Sequence, residues 1–471
     1  MEKLPNINLS LSKDHNPNYL CTVVKIEALR KHPNADRLQL AEVFGTDVIV
    51  DDSVQIGDIM LHFPIECCIN AGFLLTNMLY REKILCEKLK VENVRKSGFF
   101  EEKGRVKATR LRGLVSNGFL MPIASLEKNY NKSIDNVEVG ARFDTVNDIL
   151  FVWKYEKPVE RMSGGKARRR KRNVSELFIG GQWRFHYDTE KYENNFMEIN
   201  DLLPRANTII ISQKLHGTSI CLGNILVKKS KYKFINWLYK IFTKSDAEYR
   251  DVWSSRTVIK TPVYKTNNRK FYEDDIWDTV YDQCFKNKIP KGMSIYAEIV
   301  GYAQSGGFIQ PGFDYGCVQP ENGEYKPVAN YKVYVYRITE TDAQGNVTEF
   351  PLPDLDRKLK ESGLDNMEII PILKTFSTAE ITGREAKKII PSERFENGKP
   401  AENLFHWIKE DSDNLFNMEK NSRLCRNKVP EEGVVVRIDH RAWKIKCNNF
   451  YVWESKDLDS RETNGTDIID N

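Results

Sequence analysis

A lysine closes a β-branched apolar run in Thr208-Ile209-Ile210-Ile211-Ser212-Gln213-Lys214, and Leu215-His216-Gly217-Thr218-Ser219 and the apolar Ile220-Cys221-Leu222 follow it. The pattern reads as strand, tight glycine turn, strand. A lysine at such a strand end can be buried and crowded. Its pKa can then fall and its amine can act as a nucleophile. Gly217 lets the backbone approach a ligand closely. Taken alone, these residues describe an ordinary hairpin with a solvated lysine, and only the rest of the chain shifts the reading.

Later segments supply partners for a lysine nucleophile. Arg256, in Ser254-Ser255-Arg256-Thr257, suits bidentate contact with a phosphate. Glu298 sits inside the apolar segment Ser294-Ile295-Tyr296-Ala297-Glu298-Ile299-Val300. A carboxylate there is costly unless it is paired or bound to metal. Tyr336, in the alternating strand 332–338, can stack on a purine. Glu432 opens the strand Gly433-Val434-Val435-Val436-Arg437 and, with Glu298, suits metal or ribose contact. Lys444 and Lys446 are two apart, so on a strand both face one side. Two such cations would depress the pKa of a neighbouring amine and hold a phosphate.

The elements that must position these residues are strands at 208–214, 220–222, 294–300, 332–338, 431–437 and 443–447. Between the last two pairs lies an insertion at about 340–428, helical in character over 354–420, which could cover the site. Upstream, residues from about 19 to 123 alternate short strands with turns. Candidate strands are 21–29, 37–44, 48–51, 58–63, 106–111 and 119–122, with a helix or long loop at 74–94. So many short strands suggest a small barrel. Lys107, Arg110 and Arg112 are its basic surface candidates, at mixed faces of one strand. The run Lys166-Ala167-Arg168-Arg169-Arg170-Lys171-Arg172 lies in a linker, 161–174. It could neutralise phosphates, serve as a nuclear address, or be solvated chain. Residues 228–240 are basic and aromatic. They read as an amphipathic helix lying on nucleic acid, or as an insertion packing its aromatics on the domain surface. The end, 455–471, is polar and mildly acidic, and disorder is expected there.

Length and composition set the frame. A chain of 471 residues holds two or three domains. Apolar content of 41% and charged content of 29% are those of ordinary globular protein, and a net charge of +5 says little about partners. No apolar run approaches membrane-spanning length and the first residues carry no signal-peptide core. Nine scattered cysteines without Cys-x-x-Cys read as reduced thiols of an intracellular protein, not as a zinc site or disulfide framework.

The ordered set from Gln213 to Lys446 resembles the covalent nucleotidyltransferases, the ATP-dependent ligases and capping enzymes. Lys214 matches the family's motif I, Arg256 motif Ia, Glu298 motif III, Tyr336 motif IIIa, Glu432-Gly433 motif IV and Lys444-x-Lys446 motif V. His216, where DNA ligases and capping enzymes carry aspartate, resembles the RNA ligase 2 clade. That clade has glutamate before the lysine and asparagine five residues after it; here Gln213 and Ser219 stand instead. His32-Pro33-Asn34-Ala35-Asp36-Arg37-Leu38 and the segment Gly113-Leu114-Val115-Ser116-Asn117-Gly118 resemble signatures of OB-fold tRNA-binding domains. An OB domain ahead of the catalytic domain is similar to the Deinococcus-type RNA ligases.

The resemblance implies an α+β chain: an N-terminal OB-like β-barrel in 1–160 that binds nucleic acid, then an ATP-grasp-like nucleotidyltransferase domain of antiparallel sheets and helices in 175–454. It implies an ATP-dependent RNA ligase using Mg²⁺ or Mn²⁺. Lys214, Lys444 and Lys446 would be catalytic. Gln213, His216, Gly217, Arg256, Glu298, Tyr336 and Glu432 would bind ATP, and Glu298 and Glu432 metal. Lys107, Arg110 and Arg112 would contact RNA. The expected setting is a cytoplasmic monomer acting on broken or nicked RNA, with no membrane partner. A capping-type guanylyltransferase and a tRNA- or RNA-binding protein without catalysis are the competing readings. The first is disfavoured by His216, the second by the presence of Lys214 and Lys446.

Overall fold

The computed structural model describes residues 6–132, 134, 137–156, 182–183, 188–230, 233–256, 258–261, 275–321 and 323–464. The basic run 166–172 lies outside them.

Two largely antiparallel sheets form the C-terminal part. The first has the strand order 190–191, 441–446, 433–438, 208–214, 372–377; the second has 247–254, 218–228, 293–301, 331–341, 347–349. The strand Thr208–Lys214 belongs to the first sheet and its successor, Thr218–Lys228, to the second. Leu215-His216-Gly217 is therefore the crossing between sheets. Apolar side chains from both close on one core, among them Ile209, Ile211, Ile220, Leu222, Ile295, Ile299, Val434 and Trp443. Burying such side chains is worth roughly 1.5–3 kcal/mol each, which fixes the crossing in place.

The stretch 340–428 is woven into this fold and is not a separate cover. Its strand Ile372–Ser377 pairs with Thr208–Lys214, and its helix Pro400–Glu410 buries Leu404, Phe405, Trp407 and Ile408 in the same core. The helix Asn448–Asn464 likewise carries regular structure into the expected disordered tail.

Upstream, strands at Cys21–Lys25, Leu38–Val43, Thr46–Asp51, Ile59–Phe63 and Phe119–Pro122 fall where alternation places them. Residues 74–94 hold the end of one short helix, Ala71–Thr76, and a second, Glu82–Leu89. The sheets are small and separate: 119–122, 59–63, 21–25 and 142–143 form one, and 29–31, 38–43 and 46–51 another. Among the described residues no closed barrel forms, so the architecture is α+β with antiparallel sheets. The expected strand 106–111 is only Thr109–Leu111, turning into Leu114–Ser116. Arg112 (φ 48) and Gly113 (φ 98) take the left-handed turn. Lys107 thus precedes the strand and Arg112 caps a hairpin, so the three basic residues do not share one strand.

The upstream part is fastened to the last helix. The Arg105 guanidinium donates two hydrogen bonds to buried Glu66, both 2.9 Å. Ser455 Oγ donates to the same carboxylate at 2.9 Å and accepts from Ala108 N at 3.3 Å.

Candidate active site

The lysine turn meets two more strands in strict register. Lys214 pairs with Gly433, and Gly433 pairs with Lys446. Side chains in one row of a sheet share a face, so the two lysines flank a residue without a side chain. Gly433 is held at φ 141, and a Cβ there would lie 2.1 Å from Ile445 O. Gly217 is equally confined: a Cβ would lie 2.3 Å from Ile299 O and 2.9 Å from Glu298 Cγ. Both glycines are required by close approach of backbone to the site.

Glu432 sits between the lysines. Its Oε1 is 2.8 Å from Lys214 Nζ and 3.7 Å from Lys446 Nζ; its Oε2 is 3.8 Å from His216 Nδ1. Burial pushes this carboxyl upward, but Lys214, Lys446 and His216 outweigh burial and take it down to about 2. Lys446 Nζ also reaches Glu454 on the last helix at 3.2 Å. Burial works against its charge, while Glu454 and Glu432 hold its ammonium well above the usual lysine value.

Lys444 faces the same cleft but has its own partner. Its Nζ donates to Asp188 at 2.8 Å, and Arg256 lies 3.9 Å from the same oxygen. Burial lowers Lys444 to about 8 even though Asp188 raises it. Glu298 is opposite Ser219 across the second sheet and accepts a 3.1 Å hydrogen bond from its hydroxyl. Burial raises Glu298 to about 7, against Lys214 and Arg256, which lower it.

His216 is gripped on several sides. Its backbone N donates to the Tyr315 hydroxyl at 2.6 Å, and its ring meets Phe313, Phe450 and Trp453 edge-on at 4.9–5.8 Å between centroids. Gln310 Nε2 donates to Gly217 O at 2.8 Å.

These groups line a cleft of about 310 Å³, within the range of a small-molecule site. Lys214, His216, Gly217, Ser219, Arg256, Glu298, Glu432, Lys444 and Lys446 all reach it. Gln213 does not. Strand alternation turns it away from Lys214, and it bonds to buried Glu431. Tyr336 does not line the cleft but lies on the sheet face that carries Ser219 and Glu298, packed in a cluster with Trp183, Cys221 and Tyr296 and close enough to Glu298 and Arg256 to feel their charge. Lys107 pairs with Glu101 at 2.9 Å, and Arg110 donates to Asn449 at 2.6 Å and Gly113 O at 2.7 Å. Asn34 donates to Arg112 O at 3.0 Å, joining the His-Pro-Asn-Ala-Asp segment to the hairpin.

The cleft has a wall that the lysine-centred pattern did not mark. Tyr19, Glu66, Lys154, Tyr155 and Glu156 come from the upstream part, and Asp188 and Glu454 from the flanks of the sheets. Glu66, inside the apolar run 61–69, and Glu454, which follows Phe450-Tyr451-Val452-Trp453, carry the same signal as Glu298, a charge set against an apolar stretch; Asp188 carries none.

The donor set fits a divalent ion shared with a phosphate ligand. Glu432 Oε2 is buried without a hydrogen-bond partner among the described residues. Glu298 is a nearby carboxyl that burial holds partly protonated, ready to exchange a proton for a cation. Among the described residues no cluster of three or more His, Cys, Asp or Glu could hold an ion alone. Mg²⁺ is commonly held by one or two carboxylates plus substrate phosphates.

Comparison with known proteins gives a consistent picture. The family model described as RNA ligase matches residues 207–451. No curated protein sequence matches the chain. In fold the chain is similar to Naegleria gruberi RNA ligase. A variant solved with AMP and Mn has a TM-score of 0.52 at 15% identity, over 93% of this chain and 99% of that one. A second variant, with ATP and Mn, gives 0.51 at 15% over the same shares. A third, without ligand, gives 0.51 at 14% over 94% and 99%.

Proposed function

Because this chain belongs to the RNA ligase family, we propose that the cleft activates RNA ends with ATP through a nucleotide carried on Lys214. The observation that carries this reading is the row Lys214, Gly433, Lys446 with Glu432 between the two amines.

In the first step Lys214 Nζ attacks the α-phosphorus of ATP. A P–N bond forms, the bond from that phosphorus to the pyrophosphate oxygen breaks, and the amine proton leaves with pyrophosphate or water. Lys446 and Lys444 neutralise charge growing on the phosphates. Arg256, on the same side as Lys444, holds a phosphate oxygen. Glu298 and Glu432 would hold a divalent metal, which would supply Lewis-acid charge to the phosphates. The similar Naegleria proteins were solved with ATP or AMP and Mn, which supports ATP and a divalent cation here. AMP then passes to a 5′-phosphate end, and a 3′-hydroxyl attacks that end, releasing AMP. Repair of broken RNA is the use this chemistry fits.

The division into 1–160 and 175–454 is supported by sheets none of which joins strands of both parts among the described residues. The upstream part is OB-like and holds RNA near the cleft, with exposed Arg112 and half-buried Lys107, which pairs with Glu101, as its basic contacts. Arg110, bonded to Asn449, fastens the two parts together. Tyr336, on the face of the second sheet that carries Glu298, and Gln213, bonded to Glu431, support the adenine pocket.

Incubating the protein with α-labelled ATP or GTP and Mg²⁺ or Mn²⁺ tests the reading. Acid-labile, base-stable label from ATP, as a P–N bond requires, is expected on Lys214, and joining of nicked RNA should follow. Label from GTP alone would favour capping chemistry, and no label would favour an RNA-binding role.

A further inference from the structure

The connection 228–245 links two adjacent strands of the second sheet, Thr218–Lys228 and Ala247–Ser254, at the end remote from Thr218 and the lysine turn. Its helix, Lys233–Thr243, is turned inside out. At 100° per residue, Trp237, Ile241, Phe234, Leu238, Phe242 and Ile235 share one arc, and Asn236, Lys240 and Thr243 the other. The polar side is the anchored one. Buried Asn236 accepts from Ser230 N at 2.8 Å and donates to Ser230 O at 2.6 Å; Thr243 Oγ1 accepts from Lys229 Nζ at 3.0 Å. The apolar side faces solvent: Phe234 is 67% exposed, Trp237 55%, Ile241 54% and Phe242 78%. None of the six belongs to the neighbouring cores. A contiguous apolar face held outward by its polar edge marks an interaction surface.

Charge selects the occupant. The sequence 228–245 contains six lysines and no aspartate or glutamate; exposed Lys240 borders the apolar arc next to Trp237 and exposed Lys244 directly follows the helix. Lysines bordering a Trp, Phe and Ile face are what a helix lying in the headgroup layer of an anionic bilayer requires. Eleven residues cannot cross a bilayer, in keeping with the absence of any described helix long and apolar enough to do so. Nucleic acid would stack on the aromatics, but Ile235, Leu238 and Ile241 offer it nothing. We propose that this helix anchors the protein to an anionic membrane surface, leaving the cleft, at the other end of the sheet, open to RNA.

Flotation of the full-length protein with phosphatidylcholine vesicles, with and without phosphatidylserine, tests this. Wild type should float with the anionic vesicles, less so at high salt, and weakly with neutral ones. The double variant Trp237→Ser, Phe242→Ser should lose at least about tenfold in vesicle affinity. Lys240→Glu with Lys244→Glu should remove the preference for anionic lipid. Both variants should label themselves with nucleotide as wild type does, which shows that they are folded. Wild type that stays with the unbound fraction, or a serine variant that floats undiminished, overturns the anchor. So does a result in which the serine variant instead loses RNA retention or dissociates a dimer, since RNA or a second copy would then be the occupant.

Discussion

Lys214 and Lys446 share one carboxylate oxygen: Glu432 Oε1 lies 2.8 Å from the first amine and 3.7 Å from the second. One cation is the proposed nucleophile and the other the proposed phosphate clamp, so their substitutions should fail differently. Lys214→Ala and Lys214→Arg should both abolish covalent nucleotide, the arginine because its guanidinium stays protonated. Lys446→Ala should still label but ~10²–10³-fold more slowly, the usual loss for one charge-stabilising contact. Single-turnover labelling separates the two. Equal rates for Lys446→Ala and wild type would remove Lys446 from the chemistry.

Gly433 separates these lysines, and its replacement should be felt in the backbone. An alanine Cβ would lie 2.1 Å from Ile445 O in a residue held at φ 141. Gly433→Ala should therefore cost more than about 2 kcal/mol in unfolding free energy, as strained positive-φ positions do. It should also depress labelling by spreading the two strands. Glu432→Gln, which keeps shape, should depress labelling with little loss of stability from strain. A Gly433→Ala protein as stable as wild type would show that the strand pair can relax.

Glu298 gives the site a pH dependence with a definite sign. Its carboxyl is raised to about 7 by burial. A raised acid binds its proton more tightly folded than unfolded, so it costs stability progressively as pH climbs from the ordinary carboxyl range through 7. Metal needs the ionised form, so Mn²⁺ affinity should fall as pH drops below about 7. Glu298→Gln should be more stable than wild type at pH 8, by roughly 1–3 kcal/mol, with the gain vanishing at low pH. Denaturant melts at several pH values, beside Mn²⁺ titrations, measure both. A variant with no advantage at pH 8 would place the carboxyl back in the ordinary range.

What the sequence discloses and hides has a physical basis. Glu298, Lys444 and Glu432 stand out because each interrupts or borders an apolar strand, where charge is expensive. The structure brings them to one cleft with Lys214. Asp188 lies outside the strands of the pattern, and Glu454 follows the apolar run Phe450-Tyr451-Val452-Trp453 with nothing in the sequence to name its partner, so their ion pairs with Lys444 and Lys446 exist only in three dimensions. The strand Ile372–Ser377 reads as part of a helical insertion because its neighbours do, and it gains its place by edge pairing with Thr208–Lys214. Alternation finds most upstream strands yet does not say whether they close, since closure depends on the pairing of distant edges.

The upstream part should matter to the first step, although every residue of the lysine-centred constellation lies beyond it. Tyr19, Glu66 and Lys154 wall the cleft, and Glu66 is tied to both Arg105 and Ser455. Burial pushes Glu66 upward while Arg105 holds it down. Arg105→Ala removes the compensating charge from a buried carboxylate, a change that commonly costs about 3–5 kcal/mol. Arg105→Ala with Glu66→Gln should recover part of that loss, because a neutral amide can remain without a cation. Loosening this joint should slow self-labelling and RNA joining together, since the wall and the last helix, which carries Glu454, shift relative to Lys446. Thermal unfolding and labelling of the single and double variants measure the two effects side by side. If Arg105→Ala melts earlier yet labels at the wild-type rate while joining falls, the upstream part serves only RNA placement and the cleft wall takes no part in nucleotide transfer.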